Sequence, residues 1–89
     1  MTLQNNEHLI TMILRSGFMN ILVFKTSITE EDQIVKVQPL LDSVPTIKHW
    51  NFDLDDCDNI LRIVSNNLDP ESIESLLQTA GFYCQELAD

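Results

Sequence analysis

Apolar residues after residue 19 follow a regular succession of strand patterns. The segment NILVFKTSI (20–28) predicts a central strand that is apolar on both faces. The segment VPTIKHWNFDLD (44–55) alternates apolar and polar residues, as a strand with one buried face does. A turn at 55–59 and the returning strand ILRIVSN (60–66) complete a hairpin, and FYCQEL (82–87) predicts a last short strand.

Helical patterns fill the two gaps between these strands. The first helix is predicted to start at Thr29 as N-cap, with Asp32 at the capping-box position. Pro39 lies inside it, so we expect a kink or a helix that stops and restarts there. Its apolar face would consist of Ile34, Val37, Leu41 and Val44.

The second helix has clear signals at both ends. Asp69 is its predicted N-cap, Pro70 takes the first helical position, and Gly81 ends the helix in a left-handed conformation. Its inner face would consist of Ile73, Leu76, Leu77 and Ala80.

The resulting order, β-α-β-β-α-β, predicts an α+β ferredoxin-like sandwich over residues 20–89. Its four-stranded antiparallel sheet would have strand order 4-1-3-2, with both helices on one face. Trp50 and Phe52 would then belong to the core. Residues 1–19 form an N-terminal extension that we expect to be disordered or to contain a short helix over 7–15.

Charge restricts the classes of partner. The 89 residues carry 14 acids and 5 bases, a net charge of −9. Because nucleic acids and anionic lipids require a basic surface, we expect neither nucleic-acid nor membrane binding. A basic protein partner or a cation suits such a surface. No run of apolar residues reaches membrane-spanning length and no convincing signal peptide is present, so the sequence favours a cytoplasmic protein with reduced thiols.

Two stretches resemble the heavy-metal-associated (HMA) domain of copper chaperones and metal-pumping ATPases. SVPTIKHWNFDLD (43–55) is similar to that family's hairpin strand, which runs from Val-Pro to Asp-Leu-Glu. ESIESLLQTAGFYCQEL (71–87) is similar to its closing helix, Ala-Gly-Phe corner and terminal Glu-Leu. The resemblance covers about residues 20–87 and implies the same ferredoxin-like fold.

The family's metal ligands are absent from this chain. Its Gly-Met-Thr-Cys-x-x-Cys loop aligns with SITEEDQ (27–33), where Ile28 and Thr29 keep the Met and Thr positions. The two cysteine positions hold Glu30 and Gln33. Copper(I) and zinc need thiolates here, so the resemblance implies the fold without the metal transfer.

This topology would gather acidic residues at one end of the sheet, where the first junction, the hairpin turn and the Gly81 corner meet. We interpret that end as a docking surface for a basic protein partner. The alternative is that it holds helix-cap charges and a solvated turn. The candidate partner-binding residues are Glu30, Glu31, Asp32, Asp55, Asp56, Asp58, Phe82 and Tyr83.

A relocated metal site is a second possibility. Cys57 and Cys84 could bind a soft metal or form a disulfide, although a buried Cys84 and an exposed Cys57 suit the pattern better. The acidic residues could hold a hard cation, yet the turn does not match a calcium loop. His49 is expected to be a surface histidine.

No constellation of nucleophile and base is recognisable, and the chain has no glycine-rich phosphate loop, so we expect neither an enzyme nor a cofactor. We therefore favour a small protein-interaction or regulatory module. The alternatives are a metal-ion carrier and an ACT-like ligand-binding module. If the first strand is apolar on both faces, Ile21 or Leu22 remains uncovered on the open face of the sheet. The segment LITMIL (9–14), a second copy of the chain or a partner could cover this face, so we expect a monomer or a weak homodimer.

Overall fold

The computed structural model describes residues 2–4, 20–55 and 57–87. In chain order the elements are β1 (Thr2–Gln4), β2 (Asn20–Thr26), α1 (Glu31–Asp42), β3 (Ile47–Asp53), β4 (Ile60–Ser65), α2 (Pro70–Thr79) and β5 (Cys84–Glu86). The helix predicted over 7–15 lies outside the described residues.

The strands form one antiparallel sheet in the order β1-β3-β4-β2-β5. Apart from β1, this is the predicted order 4-1-3-2 read from the other edge, and the predicted α+β fold is confirmed. Strand β1 was not predicted, because three residues are too few to show a strand period. It pairs with Asn51–Asp53 of β3 and lies at the edge of the sheet.

The core lies between the sheet and the two helices. Trp50 and Phe52 of β3 belong to it, as predicted, and their rings make an edge-to-face contact. The indole N–H of Trp50 donates to the Asp42 carboxylate at 2.9 Å, so the end of α1 is fastened to β3. The other buried members are Phe24, Ile28, Ile34, Val37, Leu41, Leu61, Ile63, Ile73, Leu77 and Cys84.

The opposite face of the sheet differs between β2 and the two strands beyond it. On β2 it presents Ile21, which is 42% exposed, the half-buried Val23 and the exposed Lys25, so this strand carries apolar residues on both faces, as predicted. Over β3 and β4, by contrast, His49 and Val64 are buried. The expectation of a surface histidine was therefore wrong, and burial lowers the pKa of the His49 imidazole.

Helix details bring three further corrections. Helix α1 continues through Pro39, so the expected stop and restart is wrong, while the alternative of a kink stays a prediction. The helix can continue because a proline removes only one intrahelical hydrogen-bond donor and this one is exposed to solvent. The N-cap of α1 is Glu30 instead of Thr29. Ala80 is exposed, whereas the predicted inner-face residues Ile73 and Leu77 are buried.

The end of α2 follows its sequence signal. Gly81 adopts φ +94°, a left-handed conformation that glycine takes without steric cost. Its N–H donates to the Gln78 carbonyl and the Phe82 N–H donates to the Leu77 carbonyl, both at 2.9 Å. This Schellman motif turns the chain into β5. Neither helix in the described part of the chain has the length and apolar character needed to cross a bilayer.

Candidate functional site

The end of the sheet where β2 leads into α1 gathers three chain junctions, which we call the junction end. They are the β2–α1 junction (27–30), the hairpin turn (54–59) and the α2–β5 corner (80–83).

Thr26 joins the first junction to the hairpin turn. Its hydroxyl donates to the Asn59 carbonyl at 2.7 Å and accepts from the Ile28 N–H at 3.1 Å. Its backbone N–H points at the carbonyls of Asp58 and Asn59, at 3.3 and 3.2 Å. Asn59 adopts φ 52°, a left-handed conformation that asparagine tolerates better than most residues. The turn is therefore held in place by the strand beside it.

Ser27 joins the same junction to the α2–β5 corner. Its N–H donates to the Tyr83 carbonyl at 3.2 Å, and its hydroxyl accepts from the Tyr83 N–H at 2.9 Å. These two residues lie 56 positions apart in sequence. Ile28, next along the chain, is fully buried and anchors the loop to the core. All three junctions are thus connected by hydrogen bonds.

Helix α1 begins with a cap built from Gln33. Its side-chain oxygen accepts from the Thr29 N–H at 2.7 Å and from the Glu30 N–H at 3.1 Å. These are N–H groups that the end of a helix would otherwise leave without partners. Glu31 and Asp32 occupy the first turn, where the helix dipole favours negative charge. The predicted capping box of Thr29 with Asp32 was wrong, because the box lies one residue later and is formed by Glu30 and Gln33.

The described acidic residues of the predicted site lie on the segments that form the junction end. Glu30, Glu31 and Asp32 are exposed at the start of α1, and Asp55 is exposed in the hairpin turn. Asp58 is half-buried and lies 3.6 Å from the ammonium group of Lys25. Asp56 lies outside the described residues. Lys25 carries a single positive charge, so it offsets only part of this negative charge.

The two aromatic residues of the corner lie in different environments. Phe82 is half-buried and packs against the core, so it helps to hold the corner in place. Tyr83 is 49% exposed, and its hydroxyl bonds to the Gln85 side chain. Of the two, Tyr83 is available for contact with another molecule.

The two cysteines are also unlike each other. Cys57 is exposed in the hairpin turn, whereas Cys84 is buried where β5 pairs with Thr26, in agreement with the sequence expectation. Burial raises the pKa of the Cys84 thiol to about 12, with a further contribution from the Glu74 carboxylate. Since soft metals bind thiolates, Cys84 is a poor ligand at neutral pH.

The described residues also do not form a preformed site for a hard cation. Within residues 2–4, 20–55 and 57–87, no group of three or more His, Cys, Asp and Glu side chains is arranged to hold a metal ion. The acidic side chains of the junction end are spread over a surface, with none of the six to eight converging oxygens that calcium takes.

The structure reveals two junction residues that the sequence interpretation missed. Ser27 fastens the corner, and Gln33 caps the helix. A signal for Gln33 was present, because Glu30-x-x-Gln33 has a glutamine at the N3 position of a capping box. Ser27 had no such local signal, since its partner Tyr83 is remote in sequence.

Comparison with solved structures supports the resemblance found in the sequence. The chain is similar to the apo form of the HMA domain of a copper chaperone for superoxide dismutase, with a TM-score of 0.65 and 17% sequence identity. The match covers 79% of this chain and 68% of that chain. No family model matches the sequence, and no curated protein matches it. The shared feature is the HMA-like ferredoxin fold.

The residues of the β2–α1 junction do not fit a bound soft metal. Position 33 carries an amide whose oxygen already accepts from two backbone N–H groups. Position 30 carries a carboxylate, which is a hard ligand. The thiols of Cys57 and Cys84 belong to the hairpin turn and to β5, in the environments described above. The loop therefore serves as a helix start.

Proposed function

We propose that this chain, which shares the fold of an HMA domain, is a non-catalytic protein-binding module whose contact surface is the junction end. The observation that carries the proposal is the hydrogen-bonded connection of three junctions through Thr26 and Ser27. It holds acidic side chains from separate parts of the sequence on one pre-ordered surface. Pre-ordering favours binding because less conformational entropy is lost on association.

The charge of the surface favours a basic partner. Glu30, Glu31 and Asp32 are exposed at the same end of the sheet as the turn that carries Asp55, and the half-exposed Lys25 pairs with Asp58 in that turn. Exposed Tyr83 adds an aromatic group at the same end. Acidic groups with an adjacent aromatic suit a partner that presents lysine or arginine.

The described side chains that could act in catalysis, His49 and Cys84, are poorly placed for it. His49 is buried on the sheet face opposite the helices, away from the acidic turn. The Cys84 thiol is buried with a raised pKa, which leaves little nucleophilic thiolate at neutral pH. Reduced thiols and a cytoplasmic location accord with this proposal.

Matched charge reversals test the proposal. Glu31→Lys and Glu71→Lys change net charge equally, and both residues are exposed in the first turn of a helix. Helix α1 starts at the junction end, whereas α2 follows β4 and starts at the opposite end of the sheet. Binding of a lysine-rich peptide should be measured by calorimetry at low and at physiological salt.

We expect Glu31→Lys to weaken the complex about fivefold and Glu71→Lys to weaken it much less, since Coulomb attraction falls with distance. Equal weakening by the two variants would contradict the proposal, because it would show a response to net charge alone. Absence of binding at both salt concentrations would contradict it as well.

A further inference from the structure

The outer edge of β3 is occupied by β1, a strand of the same chain. Thr2 pairs with Asp53, Leu3 with Phe52 and Gln4 with Asn51, all antiparallel. Strand β1 pairs with β3 alone, and β3 would otherwise be an edge of the sheet. This edge therefore accepts an extended segment in a defined register.

The rest of the β3 edge is protected against strand pairing. The pairing between β3 and β4 shifts register between Ile47 and His49, which marks a bulge, and Lys48 is exposed there. Bulges and edge lysines discourage the addition of further strands. The regular part of the edge runs from Trp50 to Asp53, and β1 covers three of its four residues.

Strand β1 has only a short ladder to hold it. It has three residues, and residues 5–19 separate it from β2 along the chain. An occupant tethered in this way acts at an effective concentration on the order of millimolar. A partner segment that also paired with Trp50 and made side-chain contacts beyond the edge could compete with it.

This edge is continuous with the junction end. Strand β3 runs into the hairpin turn, so Asp53 and the exposed Asp55 lie where β1 begins. Arg62 is 3.7 Å from the Asp53 carboxylate and offsets part of its charge. A segment added along β3 would thus bring its first residue next to acidic groups.

We propose that the edge of β3 over Trp50–Asp53 is a strand-addition site for an extended segment of a partner protein, and that β1 occupies this site in the free chain. This inference rests on the proposed function and names the form of the partner. Backbone hydrogen bonds would supply affinity and side-chain pockets would supply specificity, as in other cases of strand addition.

The register specifies the chemistry of the partner segment. The residue opposite Asp53 is basic, because opposite charges stabilise a cross-strand pair. The residues opposite Phe52 and Trp50 are apolar, since these positions belong to the core face of the sheet. The residue opposite Asn51 is polar. The partner therefore presents a basic–apolar–polar–apolar segment that runs antiparallel to β3.

The test uses the full chain and a capped peptide of sequence Lys-Ile-Gln-Ile-Thr, with a scrambled peptide of the same composition as control. Leu3→Pro and Gln4→Pro remove successive N–H groups of β1. Because N–H groups alternate sides along a strand, one of the two variants loses a donor that faces β3. Leu3→Ala and Gln4→Ala keep these donors and serve as matched controls.

We expect the peptide to shift the backbone amide signals of residues 50–53 and the scrambled peptide to leave them unchanged. If β1 occupies the edge about nine-tenths of the time, the more disruptive proline variant binds the peptide roughly tenfold more tightly than the alanine controls. Far-ultraviolet circular dichroism of each variant checks that the fold is retained.

Two outcomes overturn the inference. Peptide-induced shifts confined to residues 27–33 would support the junction end as the contact surface and exclude strand addition. Equal affinity of the proline and alanine variants, with the fold intact, would show that β1 does not compete for the edge. The comparison of Glu31→Lys with Glu71→Lys tests the proposed function separately, so that failure of the proposed function can be distinguished from failure of this inference.

Discussion

The two helices of this protein begin in different ways. Helix α2 starts from neighbouring residues alone, since the Asp69 carboxylate accepts from the Glu71 N–H at 3.1 Å and Pro70 follows the cap. Helix α1 starts where Gln33 binds back to Thr29 and Glu30, directly after residues that bond to the hairpin turn and to the α2–β5 corner. The first start is local, whereas the second is part of a tertiary arrangement.

The two helix starts therefore have different structural roles. The α2 start ends a turn and sets the direction of that helix. The α1 start organises the junction end, because Thr26, Ser27 and Ile28 fix the hairpin turn, the corner and the core below them. Substitution of a residue that fixes the junction end should therefore cost more stability than a matched substitution before α2, whereas loss of either helix cap should cost about the same.

The largest expected effect is at the apolar residue just before each helix. Ile28 is fully buried, whereas Leu68 is half-buried against the same core. Ile28→Ala should lower the free energy of unfolding by about 3 kcal/mol, and Leu68→Ala by about half as much, because a deeper cavity loses more contacts. Urea unfolding followed by Trp50 fluorescence measures both. Equal losses would remove the distinction between the two helix starts.

The cap residues should show a smaller effect of similar size at the two helices. Gln33→Ala and Asp69→Ala should each lower the free energy of unfolding by about 1 kcal/mol, since each removes an acceptor for helix-terminal N–H groups. Gln38→Ala, at an exposed position of α1, is the control.

Amide hydrogen exchange sharpens this prediction. Loss of the Gln33 cap should speed exchange at Thr29 and Glu30, whose N–H groups it accepts from. The Asp69 variant should leave exchange at these two residues unchanged. If Gln33→Ala alters neither stability nor exchange, the cap assigned to α1 is incorrect.

Much of this fold was readable from the sequence. The alternation around Trp50 and Phe52, the Asp69-Pro70 start and the Gly81 end are local signals, and each led to the observed element. The α1 start was misassigned to Thr29, because several residues there could serve as caps and a distant part of the chain fixes the local geometry.

The candidate site was less accessible to sequence reasoning. The meeting of three junctions follows from the topology, but the hydrogen bonds that fasten them join residues far apart, such as Ser27 and Tyr83. His49 looked exposed because alternation places it opposite the core face, and strand periodicity says nothing about what lies over that second face. Strand β1 was missed for a similar reason, since its pairing with β3 is a non-local contact.

The smallest expected effect concerns Cys84, the buried residue of the third junction. Its pKa is raised from 9.0 to about 12, so the folded protein keeps the thiol neutral where the unfolded chain ionises it. The contribution of this thiol to the free energy of unfolding is therefore fully present below pH 9 and is lost as the pH rises from 9 towards 12. Unfolding measured across this range should show a shallower decline for Cys84→Ala than for the unchanged protein.

Cys57 provides the internal control for Cys84. Because Cys57 is exposed, it should react with a thiol reagent at once, whereas Cys84 should react only as the protein unfolds. Rapid labelling of both thiols in the folded protein would contradict the burial of Cys84.

Zinc titration of the reduced full chain tests most directly the claim that the β2–α1 junction is a closed helix start instead of a metal loop. Amide signals of residues 27–33 report on the junction, and a chelator competition gives the affinity. We predict no complex tighter than micromolar and no shift of these signals, because the amide at position 33 is engaged in the cap and the junction offers no thiolate. One-to-one binding below micromolar, with shifts centred on Glu30 and Gln33, would contradict the account.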